Sequence, residues 1–420
     1  MEQQTQIAGL RVHTVATTKY KTNTLVLRMK APLSEETVTQ RALLPYVLQS
    51  GTKTFPTVKL IRQHLEELYG ASLGVDVSKK GEHHIISFYM DVANEVYLQD
   101  APLLLEKAIK MLAELILHPI TEDDVFVASI VESEKRSLLQ RLESVYDDKM
   151  RYANDRLLEE MCQGEAYRFN ANGIKEKITE ITPASLFSYY QQVLREDCLD
   201  LYVIGDVNES VEALIQTYFT LPAQRKQHCE VVVSPSKQVS EREVIEKQDL
   251  KQSKLHIGYR THVTYKDTDY FALQVFNGLF GGFSHSKLFI NVREKNSLAY
   301  YAASRYESHK GLLFVMSGIE AKNYKKAVSI INEQLEAMQN GDFTEQELQQ
   351  TKAVINNQIL ETIDTPRGLV EMLYHNVVAD YERPIAQWEE AINSVTKEEV
   401  VAVAKKIETD TVYLLQGEGA

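Results

Sequence analysis

The eleven histidines are where metal or acid–base chemistry would be sought first, and their spacing gives them little to do. A zinc site needs three convergent protein ligands, yet no two histidines stand four apart on a helix-like stretch. His64-Leu-Glu-Glu67-Leu68 has one His and one Glu at a metal-binding spacing but ends in Leu, and reads as a solvent-facing helical turn. His83 and His84 are adjacent on a strand-like run and so point to opposite faces. Asp147-Asp148 and Glu159-Glu160 read as solvated helix faces, and Tyr152, Tyr189, Tyr190 and Tyr301 as packing residues. Nucleotide-binding and nucleophile-elbow glycine motifs are absent. Gly278-Leu-Phe-Gly281-Gly282 is read as a flexible, substrate-facing loop rather than a phosphate cradle. Arg293 and Tyr300 carry donors of another kind, a rigid guanidinium fork and a phenol that can bond a carbonyl oxygen as it gains charge. Composition alone would make the first a surface cation and the second a core strand residue.

At 420 residues the chain is too long for one ordinary core, and two or more domains are expected. A net charge of −13 and a pI near 5.4 argue against nucleic-acid or anionic-membrane partners, which need a basic face. Cys162, Cys198 and Cys229 form no C-x-x-C pair and are odd in number, so neither a disulfide framework nor a Cys-rich zinc site is expected. With no apolar run long enough to span a bilayer and no signal-peptide pattern, the expected location is the cytoplasm.

The elements that must position any site occur twice, in the same order. Strand-like Thr24–Met29 and Lys254–Tyr259 each precede an apolar helical stretch, Arg41 to Leu48 and Tyr270 to Leu279. The strand-like runs His84–Met90 and Gly311–Met316 lead into long amphipathic helices near Ala101–Leu117 and Tyr324–Met338. Ile120-Thr-Glu-Asp-Asp-Val125 parallels Phe343-Thr-Glu-Gln-Glu-Leu348, with Thr as the expected cap of a helix whose first turn is acidic. Both halves close on a strand, Leu201–Asp206 and Val412–Gly417. The pattern predicts an α+β fold of two homologous domains, 1–221 and 253–420, each a mainly antiparallel sheet with helices packed on it, enclosing a cleft. Residues 222–252 read as a linker with one short strand, Val231–Val233.

The chain resembles the pitrilysin/insulinase-type zinc peptidases, in particular their two-domain processing-peptidase branch. The likeness rests on Ala42-Leu-Leu-Pro-Tyr46-Val-Leu-Gln-Ser-Gly51-Thr52, Leu68-Tyr-Gly-Ala, Ile116-Leu-His-Pro119, Leu201-Tyr-Val-Ile-Gly-Asp-Val207 and Val292-Arg-Glu-Lys-Asn-Ser-Leu-Ala-Tyr300. The family carries an inverted H-x-x-E-H motif, and aligning on Gly51-Thr52 puts Ala42 and Tyr46 at the two histidines and Pro45 at the general-base glutamate. Matching Glu134-Lys135 to the family's Glu-Lys puts Arg141 at the third zinc ligand; a one-residue slip would give Gln140, which suits zinc no better. The resemblance therefore implies a degenerate site at Ala42, Pro45, Tyr46 and Arg141, with no zinc and no peptidase activity. It also implies that Arg293 and Tyr300, which keep the family's spacing, contact a bound peptide. The implied function is a non-catalytic subunit that binds peptide and pairs with an active H-x-x-E-H homologue as a heterodimer, or with a second copy as a homodimer. Two other readings stand beside it: a scaffold that uses the peptidase fold, and an active metallopeptidase with an unrecognised metal site.

Overall fold

The computed structural model describes residues 2–7, 9–99, 103–207, 210–231 and 240–417. In chain order the elements of the first half are β1 (Glu2–Ile7), β2 (Leu10–Ala16), β3 (Thr22–Pro32), α1 (Val38–Ser50), α2 (Val58–Glu67), β4 (Ser72–Lys80) and β5 (His83–Ala93). There follow α3 (Leu104–Leu117), the short pair β6 (Thr121–Glu122) and β7 (Val125–Phe126), α4 (Ala128–Asp147), α5 (Lys149–Met161), α6 (Pro183–Glu196), β8 (Cys198–Gly205) and α7 (Ser210–Tyr218). The second half contains β9 (Arg242–Gln248), β10 (Ser253–Arg260), α8 (Tyr270–Asn277), β11 (Ala299–Glu307), β12 (Leu312–Ile319), α9 (Tyr324–Asn340) and α10 (Glu345–Ile363). It ends with α11 (Pro366–Ala379), α12 (Trp388–Ser394), α13 (Lys397–Ala404) and β13 (Glu408–Gly417).

These elements form two compact units. Unit one comprises Met1–Glu143, Phe169–Val232 and Pro366–Val370; unit two comprises Ser144–Arg168, Val233–Thr365 and Glu371–Ala420. The fold is α+β, and the main sheet of each unit is mainly antiparallel. In unit one the strand order is β1-β2-β8-β3-β5-β4, and in unit two it is β11-β12-β10-β13-β9. Taken from β4 and from β11 the two sequences of strands coincide, down to the single parallel pairing, β8 with β2 and β13 with β9. The duplication read from the sequence is thus a duplication of topology.

Burial explains the local choices. In β3 every residue from Asn23 to Lys30 is buried, as a central strand requires. Leu25, Leu27 and Met29 meet Ile86, Phe88 and Met90 of β5 beneath Leu43, Leu44 and Val47 of α1 and Ile109, Leu112 and Ile116 of α3. In unit two α5 lies on the sheet, where Leu157 and Met161 pack with Phe314, Tyr413 and Leu415. The approach is close enough that a Cβ on Gly258 would sit 2.5 Å from Met161 Sδ. Polar contacts secure the same helix: Tyr152 donates its hydroxyl to Glu246 at 2.6 Å, and Arg260 donates to the Met161 carbonyl at 3.0 Å.

Several local expectations are corrected. Thr344 does cap α10, in a reciprocal box with Glu347. Thr121 caps nothing; it starts a two-residue strand, and Asp123 and Asp124, at φ 51° and 58°, turn the chain back before α4 begins at Ala128. Among the described residues of 222–252 the strand is β9, the counterpart of β2. Val231 is in no element, and Val232 and Val233 lie outside the described residues. Gly278–Gly282 is a packed π-helical continuation of α8 rather than a flexible loop. A Cβ on Gly278 would fall 2.6 Å from Thr351, and one on Gly281 2.7 Å from the Ser304 amide. Asp148 is a cap rather than only a solvated carboxylate, accepting from the Met150 and Arg151 amides at 3.1 Å. The cysteine expectation fails as well: Cys198 and Cys229 form a disulfide with Cα atoms 6.0 Å apart, and Cys162 is buried outside any disulfide.

His256 of β10 is fully buried with neither ring nitrogen hydrogen-bonded. Burial, helped by the charges of Arg305 and Lys254, pushes its pKa down to about 3. The unfolded chain therefore binds a proton there that the folded chain refuses, so stability is full above pH ~6.5 and falls as pH drops towards 3. At pH 5 the penalty is about 2 kcal/mol. Urea unfolding of His256→Leu should show a smaller stability difference between pH 7.5 and pH 5 than the parent chain. An equal difference would mean that the imidazole is not the group charged on unfolding.

Candidate functional site

The site suggested by the sequence forms within unit one, between α1, α4 and β4. Arg41 aims α1: buried completely, it pairs with Asp197 at 2.6 Å and donates to the Met29 carbonyl of β3 at 2.5 Å and the His84 carbonyl of β5 at 3.3 Å. Ala42 and Pro45 are buried beside it, and Tyr46 is half-buried. Pro45 has no amide hydrogen for the helix ladder, and its ring offers neither a ligand nor a base.

Glu134 and Arg141 are two helical turns apart on α4 and so share a face. The Arg141 guanidinium lies 3.8 Å from the centre of the Tyr46 ring, a cation–π stack. The Ser50 hydroxyl is 2.9 Å from the Tyr46 carbonyl and 3.1 Å from Glu134 Oε1. Burial raises the Tyr46 pKa; Arg141 opposes that shift, while Asp76 and Glu134 reinforce it, so the phenol is neutral at physiological pH. The structure therefore brings Ala42, Pro45, Tyr46 and Arg141 together, but as a methyl, a pyrrolidine ring, a neutral phenol and a cation. Such a set does not fit Zn²⁺, whose ligands are thiolate, imidazole and carboxylate. No group of three or more His, Cys, Asp or Glu able to hold a metal occurs among the described residues.

Sequence reasoning missed β4. It is the last strand of its sheet, lies against α1 and leaves one side of its backbone unpaired in the ladder. The alternation of Leu73, Val75 and Val77 was the available signal for a strand, but edge position depends on pairing far along the chain.

Arg293 and Tyr300 belong to unit two. Arg293 is exposed at the end of the π-helical turn Phe289–Lys295, its guanidinium 4.6 Å from the Phe289 ring centre. Tyr300 is 79% exposed on β11, the edge strand that corresponds to β4. A core role for Tyr300 is excluded by that exposure. An irregularity in register between Ala299 and Ala302 accompanies it.

This architecture, a duplicated sheet whose edge strand runs beside a helix stripped of metal ligands, matches a known class. Residues 180–355 match the family model described as the Peptidase M16 inactive domain. The chain is 53% identical over 419 residues to the probable inactive metalloprotease YmfF of Bacillus subtilis (strain 168), covering 98% of this chain and 97% of that one. A conserved protein from Enterococcus faecalis V583 superposes with a TM-score of 0.91 at 36% identity, covering 100% of this chain and 99% of the other. A peptidase M16 inactive domain from Pseudomonas fluorescens shares the fold, with a TM-score of 0.84 at 18% identity, covering 100% of this chain and 99% of that one. The chain belongs to the pitrilysin/insulinase-type (M16) peptidase family. Within it, this chain is an inactive homologue, a pseudo-peptidase.

The Tyr46–Arg141 stack gives a direct test of what holds α1 to α4. Arg141→Ala should lower stability in urea unfolding by about 0.5–2 kcal/mol, the range of a partly desolvated cation–π contact. Arg141→Lys should recover only part of it, because an ammonium cannot stack its plane on the ring. Full stability in Arg141→Ala would show that the stack contributes nothing.

Proposed function

We propose that this chain is a non-catalytic subunit that holds an extended peptide and works by pairing with an active H-x-x-E-H homologue in the cytoplasm. The observation that carries this reading is the open edge of β4 beside α1. A strand with one unpaired side accepts an extended peptide through main-chain hydrogen bonds, without reading its side chains. The Tyr46–Arg141 stack, where hydrolytic groups would stand, leaves nothing to activate water, so a peptide held there would remain intact. Arg293 and Tyr300 add exposed donors suited to a peptide carbonyl. In an assembled pair these two residues serve the partner's substrate. With neither zinc nor peptidase activity of its own, the subunit contributes grip and geometry. Among the described residues no helix is long and apolar enough to cross a membrane.

Two measurements test it. The purified chain should contain far less than one equivalent of zinc by elemental analysis and show no chelator-sensitive peptide hydrolysis; near-stoichiometric zinc together with such activity would sink the reading. In a reconstituted pair with an active homologue, Arg293→Ala and Tyr300→Phe should leave folding and pairing intact while slowing peptide turnover. The ceiling is ~10²–10³-fold per donor, the loss seen when a transition-state donor is removed. Unchanged turnover would shift the reading to a scaffold that uses the fold with no peptide role.

A further inference from the structure

The segment that follows α7 folds back on the end of α6. The last turn of a helix has carbonyls without intrahelical partners, and here that segment supplies them. Lys226 donates its amide to the Arg195 carbonyl at 3.0 Å and His228 donates to the Glu196 carbonyl at 2.8 Å. The Arg225 guanidinium donates to the Leu194 carbonyl at 2.6 Å and also to the Asp197 carbonyl. One residue past His228 the cover is locked, because Cys229 is bonded to Cys198 at the start of β8. His83 Nε2 adds a contact to the Cys229 carbonyl at 3.0 Å.

Three features make this bond a controllable one. Both cysteines are only partly buried, so a small thiol or disulfide can reach them, whereas Cys162 is fully buried. Lys30 stands directly opposite Cys198 in the β3–β8 register, so its side chain leaves the sheet on the same face as the sulfur. A cation on that face attracts a small anionic thiol or disulfide that approaches the sulfur. Finally, hydrogen bonds and one covalent bond hold residues 225–229 in place, while their side chains are mostly exposed. Little apolar burial remains to keep the segment down once the covalent bond is gone.

We infer that Cys198 and Cys229 form a reversible redox staple that fixes residues 225–231 on the end of α6 when oxidised and releases them when reduced. This does not rest on the peptide-binding reading. In a reducing compartment protein disulfides are transient and regulatory, which reconciles the bond with a cytoplasmic protein. The oxidant is a small-molecule disulfide. One cysteine thiolate attacks it, forming a mixed disulfide and expelling one small thiolate. The second cysteine thiolate then attacks the protein sulfur of that mixed disulfide and expels the other small thiolate. Two electrons pass from the protein sulfurs to the small disulfide, and the two protons end on its thiols.

The experiment uses the full chain, reduced with dithiothreitol or oxidised with oxidised glutathione, with thiols counted by alkylation and mass spectrometry. Oxidation should remove two reactive thiols and give one intramolecular link. Hydrogen exchange should then show the amides of Lys226 and His228 at least tenfold faster in the reduced state, with β3 and β5 unchanged. A Cys198→Ser/Cys229→Ser double variant should exchange like the reduced chain under both conditions; should that variant not fold, the oxidised and reduced parent chain decide the matter alone. Equal exchange in both states would overturn the proposal, as would stable mixed disulfides or chain-to-chain links in place of the intramolecular bond.

Discussion

Arg41 carries a full charge into a site with no access to water, one helical position before Ala42. Stripping a guanidinium of water is tolerable only if a counter-charge and good acceptors surround it, and breaking such a pair costs about 3–5 kcal/mol. The requirement is met from four directions: Asp197 at the end of α6, Tyr189 within α6, and backbone carbonyls of β3 and β5. Each can reach the guanidinium only if α1 lies across the sheet at one angle and α6 ends at one place. Arg225 extends the chain of charges, since its field acts on the same Asp197. The orientation of α1, and with it the positions of Ala42, Pro45 and Tyr46, follows from satisfying one buried cation.

That dependence explains how the fold tolerates the loss of its chemistry. A structural metal site contributes its binding energy to folding, and removing the ligands removes that energy. Here α1 is fixed by Arg41 and by the apolar contacts of Leu43, Leu44 and Val47, with Ala42 buried in the same core, and none of these contacts needs a metal. Tyr46 and Arg141 then join α1 to α4 through a cation–π contact in place of a shared metal. The residues at the four positions form a consistent set. A guanidinium at Arg141 facing an imidazole cluster would leave a half-buried cation against potential cations, whereas facing the electron-rich ring of a tyrosine it is attracted.

The parts of the molecule legible in sequence were those with strong local periodicity or a close family match. The central strands β3, β5, β8, β10, β12 and β13 and the cap at Thr344 are of this kind. What escaped was decided by long-range pairing. β9 reads as a polar linker, Arg-Glu-Val-Ile-Glu-Lys-Gln, because an edge strand with mostly solvated sides has no apolar alternation to display. Thr121 has the residues of a cap, but the two aspartates after it adopt left-handed backbone and close a hairpin instead. The Cys198–Cys229 bond joins positions 31 residues apart that only the return of the chain onto α6 brings together. Residues Ser144–Arg168, sequentially in the first half, group with unit two because Leu157 and Met161 find their apolar partners on its sheet.

β4 and β11 hold equivalent places in the two sheets, yet they end them differently. Both strands terminate a sheet of the same topology, and an edge strand invites further strands unless it is blunted. On β11 the blunting is visible: the register slips between Ala299 and Ala302, and Tyr300 projects where a regular ladder would continue. β4 runs in unbroken register with β5 from Ser72 to Lys80, with no slip along its length. One edge is thus shaped to present a side chain and the other to present backbone. The difference is one of register: an unbroken ladder leaves its outer donors and acceptors in a row, whereas a slip turns a side chain outward.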